Sequence, residues 1–125
     1  MIEIGPGELI DRITILEIKL EKICDEAKLV NVRHEYELSI GALRKEITQT
    51  GELDRLTVEL KAVNAELWRI EDDIRAQERA NTFGKIFVAL ARSVYRTNDR
   101  RAAIKRQIND LFQSSIVEEK SYDAY

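Results

Sequence analysis

The stretch LDRLTVELKAVNAELWRIEDDI, residues 53–74, places apolar side chains at alternating intervals of three and four residues. A row of this kind, sustained over three heptads, is typical of coiled coils and antiparallel helical bundles. It predicts a long helix over about residues 52–79 that packs against other helices along its length. The residues of the row are Leu53, Leu56, Leu60, Val63, Leu67, Ile70 and Ile74.

Three further helices are predicted around this one, at about residues 7–23, 26–48 and 83–112. Pro6 suits the first turn of a helix and Asp25 is a favourable N-cap, so both mark helix starts. Short connections between the segments favour antiparallel neighbours. We therefore predict an all-α fold, a coiled-coil-like antiparallel bundle of about four long helices in a single domain at residues 1–112.

A second chain is expected to complete this bundle. The first predicted helix carries apolar residues on more than one side, because Ile15 and Ile18 lie away from the row that contains Leu9 and Ile13. It is also much shorter than the fourth helix, about 17 residues against about 30. Both features predict a homodimer.

The C-terminal stretch QSSIVEEKSYDAY, residues 113–125, lacks helical spacing of apolar residues, so we expect an extended or loosely ordered tail. If the first and last helices end near each other, residues 2–4 and 116–118 are placed to pair as a short two-stranded ribbon. Isolated ribbons are only weakly stable.

Composition and charge bear on where the protein is located and on what it binds. The 125 residues carry a net charge of −3 and one cysteine, Cys24. A single thiol forms no internal disulfide, and the N-terminus has neither a basic start nor an apolar signal core, so a cytoplasmic protein is expected. No stretch approaches the ~18–20 apolar residues of a membrane span. The overall charge gives no reason to expect nucleic acid as a partner, although Arg92, Arg96 and Arg100 form a basic line.

The stretch YRTNDRR, residues 95–101, interrupts the apolar row of the fourth helix with polar side chains. At ~100° per residue, Asn98 and Arg101 fall on the apolar face, and Asn64 occupies a similar place on the third helix. Estimating the register from the turns places Glu17 and Arg33 at the same level. A polar layer halfway along the bundle is therefore predicted, made of Glu17, Arg33, Asn64, Asn98 and Arg101.

Three interpretations of this layer stay open. The side chains form a buried, mutually hydrogen-bonded layer that fixes the register of the helices and the oligomeric state. Alternatively, they line a pocket in which Arg101 binds the carboxylate or phosphate of an anionic metabolite. In the third case the apolar row has rotated and these residues face solvent.

No catalytic, metal or cofactor site is predicted elsewhere. Helical two-metal sites use Glu-x-x-His pairs, and the only histidine, His34, precedes Glu37 in the reverse order. In the run EDD at residues 71–73, Asp72 and Asp73 point away from the apolar row of the third helix. Cys24 follows a helix C-terminus, where the helix dipole disfavours a thiolate.

Four motifs together resemble an uncharacterised family of short bacterial helical proteins, a domain of unknown function. They are PGELIDRITILEIKLEKI (6–23), AVNAELWRIEDDIR (62–75), FVALARSVYRTNDRRAAIKRQIN (87–109) and VEEKSY (117–122). The resemblance spans nearly the whole chain and implies a small stand-alone bacterial domain. It implies no activity, cofactor or site residue.

A second and weaker likeness is to the all-helical chorismate mutases. LIDRITILEIKLEKI, residues 9–23, is similar to their first helix in apolar spacing. This likeness implies a dicarboxylate site lined by basic and amide side chains from several helices. The chain departs from that pattern, because Arg12 and Lys19 lie only at the edge of the inner face of the first helix.

Two functions follow from these observations. The first is a non-catalytic helical assembly or protein-interaction module, with a second copy or another protein as its partner. The alternative is a small enzyme or binding protein that holds an anionic metabolite in the polar layer. No cofactor, metal or membrane is expected for either.

Overall fold

The part of the backbone that the structure describes folds into four α-helices, as predicted. The computed structural model describes the backbone of residues 5–124 and the side chains of residues 5–112, and this part contains no strand. The helices are α1 (Pro6–Lys22), α2 (Glu26–Glu46), α3 (Gly51–Arg79) and α4 (Lys85–Ala124). The all-α prediction is confirmed, and the first three helices lie within a few residues of their predicted bounds.

Capping residues explain the ends of the helices. Asp25 accepts a hydrogen bond from the backbone N–H of Ala27 at the start of α2, over 2.9 Å, and Thr50 caps α3 in the same way. At the end of α3, Asn81 adopts a left-handed conformation with φ of 56°. The backbone N–H of Thr82 then donates to the carbonyl of Gln77 over 2.9 Å, which closes the helix in a Schellman motif.

Helix α4 is longer than predicted. It continues to Ala124, whereas the sequence analysis placed its end near residue 112 and expected an extended or loosely ordered tail at 113–125. The segment contains no proline or glycine that would stop a helix. Of the ribbon suggested for the termini, residues 2–4 lie outside the described residues and residues 116–118 belong to α4.

The apolar core lies where α1, α3 and α4 meet. Leu60 of α3 and Ile108 of α4 are completely buried, and the row predicted from the sequence is buried from Leu53 to Ile70. Ile47, just after α2, belongs to the same core. The core residues are Leu9, Ile10, Ile13, Ile47, Leu53, Leu56, Leu60, Val63, Ile104 and Ile108.

Helix α1 crosses the hairpin formed by α3 and α4. Near its start, the backbone N–H of Gly7 donates to Asn109 Oδ1 of α4 over 2.8 Å. Near its end, Glu21 pairs with Lys61 of α3 at 2.7 Å. Helix α1 therefore contacts α4 through its first turns and α3 through its last turns. At the level of the backbone, α2 packs against α1 and against no other described helix.

The hairpin of α3 and α4 extends past this crossing as an arm, which we define as residues 71–96. No residue of the arm is buried. The last buried residue of α3 before the arm is Ile70, and the first buried residue of α4 after it is Thr97. The body of the molecule therefore has a core of three helices, whereas the arm has only two.

Candidate functional site

Asp11 occupies the point where α1 crosses the hairpin. Only 3% of its side chain is exposed. Its carboxylate accepts hydrogen bonds from Asn64 Nδ2 over 2.8 Å and from Arg101 Nε over 3.0 Å. Arg101 Nη2 donates to the second carboxylate oxygen, so that the guanidinium binds Asp11 with two nitrogens. The ammonium of Lys105 lies 3.7 Å from the same oxygen.

Neighbouring polar side chains complete a cluster that connects three helices. Asn64 Nδ2 also donates to Thr14 Oγ over 2.9 Å, and the Thr14 hydroxyl donates to the backbone carbonyl of Asp11 over 2.8 Å. Arg101 Nη1 donates to Asn98 Oδ1 over 3.4 Å. We call these residues the crossing cluster: Asp11, Thr14, Asn64, Asn98, Arg101 and Lys105.

The charged groups of the crossing cluster shift one another's pKa values. Burial alone raises the pKa of Asp11, but the hydrogen bonds from Arg101 and Asn64 and the positive charges of Arg101 and Lys105 outweigh it. The pKa of the carboxyl is therefore below its ordinary value. The hydrogen bond to Asp11 in turn raises the pKa of Arg101. Both groups are consequently charged at neutral pH.

The structure brings three of the five predicted site residues together: Asn64, Asn98 and Arg101. Glu17 lies elsewhere on α1, where it accepts a hydrogen bond from the Tyr36 hydroxyl over 3.2 Å. Arg33 also lies apart from the cluster. Its side chain is 52% exposed and pairs loosely with Glu26 at 3.9 Å.

Sequence reasoning missed Asp11, the residue at the centre of the cluster. The register was carried from α3 to α1 through α2, but α2 packs against α1 and against no other described helix. One signal was available in the sequence. Asp11 lies between Ile10 and Ile13 on a helix with apolar residues on several sides, so a carboxylate there is enclosed and needs a positive partner.

The crossing cluster has little capacity left to bind a ligand. The Nε–Nη2 edge of the Arg101 guanidinium, which would hold a metabolite carboxylate, is occupied by Asp11. Among the described side chains, every buried nitrogen and oxygen has a hydrogen-bond partner. Within the same residues, no three His, Cys, Asp or Glu side chains converge in a way that would hold a metal ion. The geometry favours the first interpretation of the polar layer, a set of contacts that fixes how the helices meet.

The arm, in contrast, leaves apolar side chains open to solvent. Ile86 is 66% exposed and Tyr95 is 58% exposed. Phe83 packs edge-on against Phe87, with 5.2 Å between the ring centroids, and is itself half open to solvent. The large apolar residues of the arm are Ile74, Phe83, Ile86, Phe87, Val88, Leu90, Val94 and Tyr95. Four of them are exposed, Phe83, Ile86, Val88 and Tyr95, and the other four are half-buried. Proteins rarely leave this many large apolar side chains uncovered unless they belong to an interaction surface.

Comparison with known proteins gives a family and no activity. The model of a family described as a family of unknown function (DUF6165) matches residues 1–125. No curated protein and no solved structure shows a significant match. Within the described residues, no helix combines the length and the apolar character that a membrane crossing requires.

Proposed function

Because the chain belongs to DUF6165, a family of unknown function, we propose from its structure that it is a non-catalytic helical assembly module. It pairs with a second copy of itself through the arm. One observation carries the proposal: the arm contains eight large apolar residues, and none of them is buried. The two helices of the arm cannot enclose these side chains by themselves, because each helix covers only one face of the other.

A second arm can cover the apolar side chains that the first arm leaves exposed. Two helical hairpins laid against each other form a four-helix bundle, the common way in which antiparallel helices bury an apolar face on every member. Two identical chains related by a twofold axis present the same surface to each other, so a single patch is enough for both. The proposal assigns the homodimer predicted from the sequence to the arm.

The crossing cluster supports this role indirectly. Asp11 fixes α1 to both helices of the hairpin through Asn64 and Arg101. These contacts hold α3 and α4 together with α1 at the base of the arm, which makes that base rigid. A rigid base lowers the entropy that the arm loses when it binds a partner.

The proposal is tested by measuring the molar mass in solution. Light scattering after size-exclusion chromatography is expected to give a dimer for the natural chain. Replacing Val88 and Tyr95 by glutamate places charges in the proposed interface, and this variant is expected to be a folded monomer.

Val58→Glu is the matched control. Val58 is 70% exposed and lies on α3 outside the arm, so this variant is expected to stay dimeric. A natural chain that remains monomeric up to millimolar concentration contradicts the proposed function. The same conclusion follows if the arm variant and the control dissociate equally.

A further inference from the structure

The two helices of the arm carry opposite charge. The α3 part contains four carboxylates, Glu71, Asp72, Asp73 and Glu78, against two arginines, Arg75 and Arg79. The α4 part contains Lys85, Arg92 and Arg96 and no carboxylate. The α3 side of the arm is therefore negative and the α4 side positive.

Within residues 5–112, much of this charge is unpaired. Asp72 pairs with Arg75 at 2.6 Å, which neutralises one carboxylate of the α3 side. Among the described residues, Asp73 and Glu78 form no ion pair, and neither do Arg92 and Arg96. Both sides of the arm thus keep charges that a partner can neutralise.

From this distribution, and on the premise that the proposed function is right, we infer that the two arms pair antiparallel, with α4 of each arm against α3 of the other. In this arrangement the basic side of one arm meets the acidic side of its partner, and the twofold axis makes the contact twice. Placing α4 against α4 would instead bring six basic side chains together, and placing α3 against α3 would concentrate carboxylates.

The spacing of the charges agrees with this arrangement. Helices rise by about 1.5 Å per residue, so positions along two antiparallel arms can be matched by counting from the loop at residues 80–84. When the two tips point in opposite directions, α4 runs parallel to the partner's α3. The step of four residues from Arg92 to Arg96 then nearly matches the step of five residues from the partner's Asp73 to the partner's Glu78, so one offset of the two arms brings both arginines level with both carboxylates.

An anionic membrane surface fits the arm less well than a second copy does, although basic and apolar side chains occur together on α4. The carboxylates of α3 lie on the same arm and would be repelled by acidic headgroups. A second copy neutralises both signs, whereas a membrane neutralises only one.

Charge reversal tests the inference with two variants. One carries Arg92→Glu with Arg96→Glu, and the other carries Asp73→Arg with Glu78→Arg. All four side chains are exposed, so both variants are expected to fold. Each alone places like charges across the interface, and its dimer dissociation constant is expected to rise at least ~10-fold, since exposed pairs contribute up to about 1 kcal/mol each.

Mixing the two variants is the decisive step. An equimolar mixture is expected to form a heterodimer with nearly the natural dissociation constant, because each contact again joins opposite charges. One chain carrying all four changes is expected to form a homodimer for the same reason. Lys28→Glu with Lys45→Glu is the control for the arginine variant, since it makes the same change in net charge on exposed positions of α2.

Some outcomes overturn the inferred pairing while leaving the proposed function intact. If the natural chain dimerises but the mixture forms no heterodimer, α4 does not contact the partner's α3. If only the Arg92 and Arg96 variant prefers the natural chain as its partner, then α4 contacts the partner's α4. A different outcome removes the proposed function itself: a natural chain that stays monomeric, and that binds phosphatidylserine vesicles through Arg92 and Arg96, uses the arm on a membrane.

Discussion

Arg101 Nε donates a hydrogen bond to Asp11 Oδ1 over 3.0 Å, although 90 residues separate the two in the sequence. This contact joins the first helix to the last, and Asn64 adds the third helix through a bond of 2.8 Å. Three helices are thereby fixed at one point, just before the hairpin leaves the body as an arm. The position and rigidity of the arm depend on that point.

Replacing Asp11 by asparagine is expected to destabilise the protein. The change leaves the Arg101 guanidinium largely enclosed without its negative partner, and breaking a buried ion pair in this way costs about 3–5 kcal/mol. Because Arg101 is partly exposed, a loss of about 2–3 kcal/mol in the free energy of unfolding is expected, measured by urea denaturation.

Glu26→Gln is the control for that experiment. It removes the partner of Arg33 in an exposed pair, and such pairs contribute roughly 0–1 kcal/mol. If the two variants lose equal stability, the crossing cluster does not brace the fold.

The contribution of Asp11 to stability is expected to disappear in acid. The pKa of this carboxyl is lower in the folded protein than its ordinary value of 3.8. A group of this kind stabilises the fold above its unfolded pKa and loses that effect as the pH falls through the folded pKa. The free energies of unfolding of the natural chain and Asp11→Asn are therefore expected to differ most near neutral pH and to converge below pH 3.8. A constant difference from pH 7 to pH 2 would contradict the assignment.

Gly7→Ala is expected to weaken the contact between α1 and α4. A Cβ atom at position 7 would lie 2.7 Å from the backbone carbonyl oxygen of Lys105, so the two helices must separate. Overpacking of this kind typically costs about 1–3 kcal/mol.

Gly41→Ala is the matched control in α2, because a Cβ atom there meets nothing within 4 Å. Alanine in an open helical position is expected to stabilise the protein by about 0.5–1 kcal/mol. Thermal unfolding of the two variants is thus expected to shift the melting temperature in opposite directions. Shifts of the same sign would show that α1 does not approach α4 this closely.

Local sequence patterns were sufficient to predict the helices. To predict α3 from the row between Leu53 and Ile70, it is enough that one side of the helix is buried. The start of α2 is marked locally as well, because Asp25 caps the helix with its own side chain. The end of α4 was missed because a helix without apolar spacing carries no periodic signal, even where nothing in the sequence stops it.

The crossing cluster was only partly predictable, because it depends on how whole helices are oriented. Asn64 and Arg101 interrupt apolar rows and were identified from those interruptions. Glu17 and Arg33 were included because the register was carried from α3 to α1 through α2. Asp11 was missed for the same reason, since α2 packs against α1 and against no other described helix, and α1 contacts α3 and α4 directly.

Hydrogen exchange of the natural chain at different protein concentrations tests most directly whether the arm is an interface. Backbone amides of residues 71–96 are expected to exchange more slowly as the concentration rises through the dimer dissociation constant, because a second arm then covers them. Amides of α1 near Asp11 are expected to change much less. Exchange in the arm that is the same at every concentration, while the chain is shown to dimerise, would contradict the account.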